Sequence, residues 1–321
     1  MGTKARKMLP LFLALVLAIT IAGCGGGKIT EEELIEKVTV ASEGIETCQF
    51  DIDMGVRMSG KGGEETFDAS LALGISGLTD IPNEKIKMEM NITDIALDLP
   101  EEAEIPDEIP ESMGMEIYLI GKMAYLKADI PGLPAQWTKN EVPVGYLALQ
   151  VQDLVKRQAE LLEASEIEIL GKEKVNGVDC WVVSMVPNID KLVEILMQQP
   201  IMSQGMPGGL APEEMPQGMM EGMMKGMLEE ILGKAITNMS IKQWYAKDTF
   251  FPMKLEMQMT IEISSEDLPI PITVEEEFEI KMDMNLAMLA HGFNEPVSIR
   301  LPPEAENAPE MPMMPGVPMP K

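Results

Sequence analysis

Histidine is almost missing from this chain: His291 is the single one in 321 residues. That excludes motifs that need two, His-Glu-x-x-His included. A Ser-His-Asp arrangement would have to recruit His291, which stands beside Gly292 in what reads as a solvated terminal loop. No Gly-x-Ser-x-Gly elbow, P-loop or Gly-x-Gly-x-x-Gly fingerprint occurs either. The chain is read as no enzyme, and no cofactor is expected. Positive charge is scarce, with 25 Lys and Arg against 53 Asp and Glu and a net charge of -28. Nucleic acid needs a basic footprint, so it is excluded as a partner, and an anionic lipid surface would repel the protein body. Aromatic residues make up only 4%. Cysteine is limited to Cys24, Cys48 and Cys180.

Cys24 is the most informative of these. Lys4, Arg6 and Lys7 form a basic start, Leu9 to Ile21 an apolar run, and Ala22-Gly23 a small-residue step before Cys24. The run is too short for a membrane span and no stop-transfer flank follows, so residues 1–23 read as a secretory signal peptide. Residues 24–29 then form a Gly-rich tether. A signal ending in Ala-Gly-Cys resembles the lipobox of prokaryotic lipoproteins. The resemblance implies diacylglycerol on the Cys24 thiol, cleavage before Cys24, and attachment to the outer, extracytoplasmic side of the cell membrane through acyl chains. Two or more chains give a stable anchor at ~0.8 kcal/mol per buried methylene. Cys48 and Cys180 would then lie in a compartment that permits disulfides. They are either bridged or two buried thiols.

The body reads mainly as strands. Thr30 to Glu46 is expected to be a helix, with Thr30 and Glu33 as a capping box and Leu34, Val38, Ala41 and Ile45 on one face. Apolar residues then alternate with polar ones from Cys48 to Met58 and again from Phe67 to Ile75, about a turn at Gly60-Lys61-Gly62-Gly63. Ile86, Met88, Met90 and Ile92 continue the pattern, which slips one residue at Asp94, the mark of a bulge. Hairpins are expected about Gly121-Lys122 and Asn176-Gly177. Residues 144–165 read as a helix, and Asn188 as the cap of another that runs to Met197. Met253 to Ile263 and Ile272 to Leu286 alternate again, with Glu275, Glu277 and Glu279 on the wet face and Glu276 at a rim. One charged and one apolar face imply an antiparallel sheet with one side in water. The acidic runs at Glu101–Glu111 and Glu275–Glu279 match no EF-hand spacing, and no metal site is assigned.

Methionine is in excess, with 30 residues. Met215, Met219, Met220, Met223, Met224 and Met227 fall at helical spacing, with Gly218, Gly222 and Gly226 four apart. Three readings are open: a Gly-weakened helix filling against the sheet, a flap over a lipid cavity lined by adaptable thioethers, or Cu(I) ligation by soft sulfur. Met257 and Met259 join the six as candidate ligand-binding residues by strand parity.

The order of elements carries a wider resemblance. It includes Ile117 to Lys127, Trp137, Gly171 to Trp181, Gln243-Trp244-Tyr245-Ala246-Lys247-Asp248, Phe251-Pro252-Met253-Lys254 and Phe293 to Pro302. As a pattern across residues 30–302 this resembles the LolA/LolB-like, LppX/LprG-type lipoprotein-carrier superfamily. The resemblance implies an α+β fold, a strongly curved antiparallel sheet forming an unclosed half-barrel with helices on its concave face, and a cavity for acyl chains. It is interrupted by a Met-rich insertion at about 198–238 and followed by a Pro- and Met-rich tail, 303–321, that reads as disordered. The expected function is non-catalytic binding of a hydrophobic or lipid ligand by a membrane-anchored lipoprotein. A structural or interaction lipoprotein without a cavity and a Cu(I)-binding protein are the alternatives. No protein partner is named by the sequence.

Overall fold

The computed structural model describes residues 29–63, 65–100, 112–132, 134–142, 162–197, 226, 229–267 and 277–310. Helix α1 (Glu31–Glu43) opens the described chain. Thr30 caps it by accepting a hydrogen bond from the Glu33 amide at 3.2 Å. The reciprocal half of the expected box is replaced: the Glu33 carboxylate pairs with Lys37 one turn on, at 2.6 Å. Leu34, Val38 and Ser42 form its buried stripe.

Eleven antiparallel strands follow: β1 (Thr47–Gly62), β2 (Glu65–Asp80), β3 (Lys85–Asp98), β4 (Met113–Ile120), β5 (Met123–Asp129), β6 (Gln136–Glu141), β7 (Ser165–Val175), β8 (Val178–Pro187), β9 (Ile236–Ala246), β10 (Pro252–Ser264) and β11 (Phe278–His291). They form one sheet in the order β6-β5-β4-β3-β2-β1-β11-β10-β9-β8-β7. The α+β open antiparallel sheet expected from the sequence is thus what the chain forms. It consists of two meanders, β1–β6 and β7–β11, joined along the β1–β11 ladder. The β6 edge is held by the C-terminal segment, where the Lys139 amide donates to the Pro309 carbonyl at 3.0 Å. Helices α2 (Ile189–Met197) and α3 (Pro303–Glu306) are also described, together with a 3-10 turn at Ser265–Asp267 and helical residues 229–235.

Local chemistry explains the junctions. Asn176 and Gly177 both take positive φ, 49° and 86°, as their two-residue turn requires. The Asn188 side chain accepts from the Lys191 amide at 3.1 Å and caps α2. The phase slip near Asp94 is a register shift: Leu73 pairs with Ile92 but Ala72 with Asp94, which leaves Thr93 as the extra residue. The Asn294 side chain ties the C-terminal segment to the α1–β1 turn. Its Oδ1 accepts from the Glu46 amide at 2.8 Å and its Nδ2 donates to the Gly44 carbonyl at 2.9 Å.

Several expectations are corrected. The first hairpin does not turn at Gly60: β1 runs through Gly62. Phe67 lies opposite Gly60 and its ring occupies the space that a Cβ there would need. His291 is not in a terminal loop but is the last residue of β11. Residues 236–238 belong to β9, not to an insertion. Residues 303–310, placed in a disordered tail, contain α3 and a β-bridge from Glu310 to Lys139. The expected helix over 144–165, the acidic run 101–111, Glu275, Glu276 and the signal peptide fall wholly or mostly outside the described residues.

Candidate functional site

Antiparallel pairing puts partnered residues on the same face, so the register maps each face directly. One row runs Leu255–Met288–Ile52–Ile75–Met90 across β10, β11, β1, β2 and β3. The next runs Met257–Leu286–Met54–Leu73–Ile92, and the one beyond it Met259–Met284–Val56–Leu71–Ile95. A fourth holds Ile261, Met282, Met58, Ala69 and Leu97. Every member is apolar, yet none is buried: all are half-buried except Met58 and Leu97, which are exposed.

The same face is filled where α1 lies on it. Leu34 and Val38 pack there with Leu162, Trp181, Val183, Met185, Ile241 and Tyr245 into a buried cluster, with Met257 and Phe250 at its margin. A second buried cluster, with Val175, Cys180, Val182, Trp244, Ala246 and Met253, covers the other face of the same strands. Trp244 donates from Nε1 to the Glu173 carboxylate at 2.8 Å there. The β8–β9 region is therefore packed on both sides, whereas the central strands carry an apolar face that the buried core does not include.

The opposite face of the central strands is polar. A groove of about 470 Å³ on it is lined by Arg57, Asp94, Gln258, Thr260, Asp283 and Asn285 among others. A smaller hollow of about 190 Å³ holds Asp51, Lys87, Glu89 and His291. His291 Nε2 lies 3.4 Å from the Asp51 carboxylate. Thr260 donates to Asp283 Oδ1 at 2.8 Å and Lys87 pairs with Glu89, and no cluster of three His, Cys, Asp or Glu suited to a metal occurs among the described residues.

Of the expected ligand residues, Met257 and Met259 lie on the apolar face in adjacent rows. Cys24, Met215, Met219, Met220, Met223, Met224 and Met227 lie outside the described residues. Cys48 and Cys180 are free thiols, not a disulfide. Four strand spacings separate β1 from β8, roughly 19 Å, against the ~7 Å limit for a bridge. Alternation also places the two on opposite faces. Burial pushes both thiols above their usual pKa, partly offset at Cys48 by the Thr79 hydroxyl and at Cys180 by a backbone hydrogen bond.

Two polar residues on the apolar face were not read as site residues in the sequence. Gln243 and Tyr245 follow Met239 and Ile241 along β9, both are buried, and the Tyr245 hydroxyl donates to Gln243 Oε1. Burial drives the Tyr245 phenol well above its usual pKa. Gln243 breaks the apolar parity, which is the one signal that could have found it.

No protein-family model matches the chain, and no curated protein matches it. Solved structures do. The Mycobacterium tuberculosis lipoprotein LppX is similar at 12% identity and TM-score 0.33, covering 83% of this chain and 96% of its own. LprF from Mycobacterium bovis is similar at 12% identity and TM-score 0.38, covering 86% and 99%. A putative outer membrane lipoprotein-sorting protein domain from Vibrio parahaemolyticus is similar at 11% identity and TM-score 0.23, covering 84% and 95%. At such scores the fold is read from the eleven-stranded sheet itself. No helix among the described residues is long and apolar enough to cross a membrane.

Proposed function

We propose that this chain is a lipid-anchored extracytoplasmic lipoprotein that holds a hydrophobic ligand, an acyl chain or lipid, against the apolar face of its sheet without catalysing a reaction. The observation behind this reading is the set of four rows across β10, β11, β1, β2 and β3, apolar throughout and buried nowhere. Covering such a face yields about 25 cal/mol per Å², and extended apolar patches mark binding surfaces. Met54, Met90, Met257, Met259, Met282, Met284 and Met288 give the face flexible thioethers, which adapt to chains of varied shape. On sequence grounds the methionines from Met215 to Met227 join the lining, and Cys24 carries the anchor.

The test is native mass spectrometry of a soluble form that begins at Gly25, followed by solvent extraction and lipid identification. A stoichiometric acyl species supports the reading. A clean apo mass on a folded sample that also takes up no added lipid overturns it in favour of an interaction protein.

A further inference from the structure

Gln243 occupies the border between the filled and the unfilled parts of the apolar face. On one side it pairs with Val183 of β8, which is fully buried. On the other it pairs with Leu255 of β10, half-buried and the head of the row Leu255–Met288–Ile52–Ile75–Met90. Only 3% of Gln243 is exposed. Its Oε1 is taken by the Tyr245 hydroxyl, which fixes the amide's orientation, and no described residue accepts from its Nε2. Thr39 Oγ1 is the one fully enclosed side-chain polar atom without a partner among the described residues, so the unpaired Gln243 Nε2 keeps a trace of open surface through which a ligand oxygen can reach it. The row that starts at Gln243 spans five strand spacings, roughly 24 Å, enough to seat an extended acyl chain.

We infer that Gln243 is the polar anchor of this face, donating from Nε2 to the carbonyl oxygen of an esterified acyl chain. The inference rests on the hydrophobic-ligand reading above and names its ligand class. An amide is an uncharged donor, and the row beside it contains no Lys or Arg. A free carboxylate would be desolvated there without a counter-charge, which strongly disfavours it. An ester carbonyl needs only the hydrogen bond. Tyr245 is a positioning residue that holds the amide with its nitrogen free.

The experiment measures binding of a pyrene-labelled glycerol diester, the diether of equal chain length and the free fatty acid to the full chain and to Gln243→Met. Gln243→Leu serves as a second variant, and near-UV circular dichroism checks folding. The expected result is that either variant weakens the diester by about 3–10-fold, the net worth of one hydrogen bond, and leaves the diether unchanged or tighter. Tyr245→Phe should weaken the diester alone, by less. Diester and diether falling together, an unchanged diester, or a preference of the wild type for the fatty acid anion would overturn the inference. Wild-type protein that is folded but binds no probe would instead remove the hydrophobic-ligand reading itself.

Discussion

Gly77→Ala should destabilise the protein only while Phe50 is present. The two residues face each other across the β1–β2 ladder, and a Cβ on Gly77 would sit 2.2 Å from Phe50 Cζ and 2.6 Å from Cε1. Ordinary carbon contacts lie at about 3.5–4.0 Å, so the ring must swing aside by roughly 1.5 Å. Overpacking of this kind costs about 1–3 kcal/mol. Alanine recovers about 0.5–1 kcal/mol over glycine in regular structure. The net loss in the wild-type background is therefore up to about 2.5 kcal/mol. In Phe50→Ala the obstacle is gone, and the same substitution should stabilise by about 0.5–1 kcal/mol. Urea unfolding of the four proteins in a double-mutant cycle reads this as a coupling energy of about 1–3 kcal/mol. Gly77→Ala effects of the same sign and size in both backgrounds would refute the argument that the ring occupies the glycine's place.

Two further predictions follow from burial. Because the folded Tyr245 phenol keeps its proton above the usual pKa of about 10, its contribution is complete below that pH and is lost as pH rises beyond it. The stability difference between wild type and Tyr245→Phe should accordingly fall by up to about 1.4 kcal/mol per pH unit above pH ~10, and a difference that stays flat would contradict it. Cys48 and Cys180, with thiol pKa values raised by burial, should react slowly with a thiol reagent in the native protein and fully in urea. A disulfide-linked mass from freshly prepared protein would contradict the strand separation described above.

Much of the sheet was legible because one side of it is wet. Along β1, β2, β3, β10 and β11 the alternation of apolar and polar residues registers directly in the sequence, and the one-residue slip at Thr93–Asp94 announced the bulge. The Asn176-Gly177 turn revealed β7 and β8 by its demand for positive φ. β9 was not read as a strand because from Ile241 to Ala246 both its faces are largely buried. Trp244 and Ala246 are enclosed on one side, and Gln243 and Tyr245 on the other, so little alternation survives. The polar pair at Gln243 and Tyr245 stayed hidden with it. Periodicity also says nothing about which strands meet. That β11 lies between β1 and β10, and that Cys48 and Cys180 are thereby kept apart, is a property of pairing at long sequence range.

The β1–β11 ladder has a consequence for the order in which the protein assembles. Each meander pairs neighbours that are close in sequence, but the junction joins Thr47–Gly62 to Phe278–His291, strands more than 200 residues apart. Long-range pairing of this kind is slow because the loop must close before any contact rewards it. A chain delivered N-terminus first completes β1–β6 and then waits, with β1 as an open edge beside an uncovered apolar face, until its last strand arrives. Until that strand docks, β1 and β10 are both unpaired edges at the centre of the future sheet, where partners from other chains could add instead. A folding helper that holds the chain as it emerges would therefore be needed most during the interval before β11 is made available.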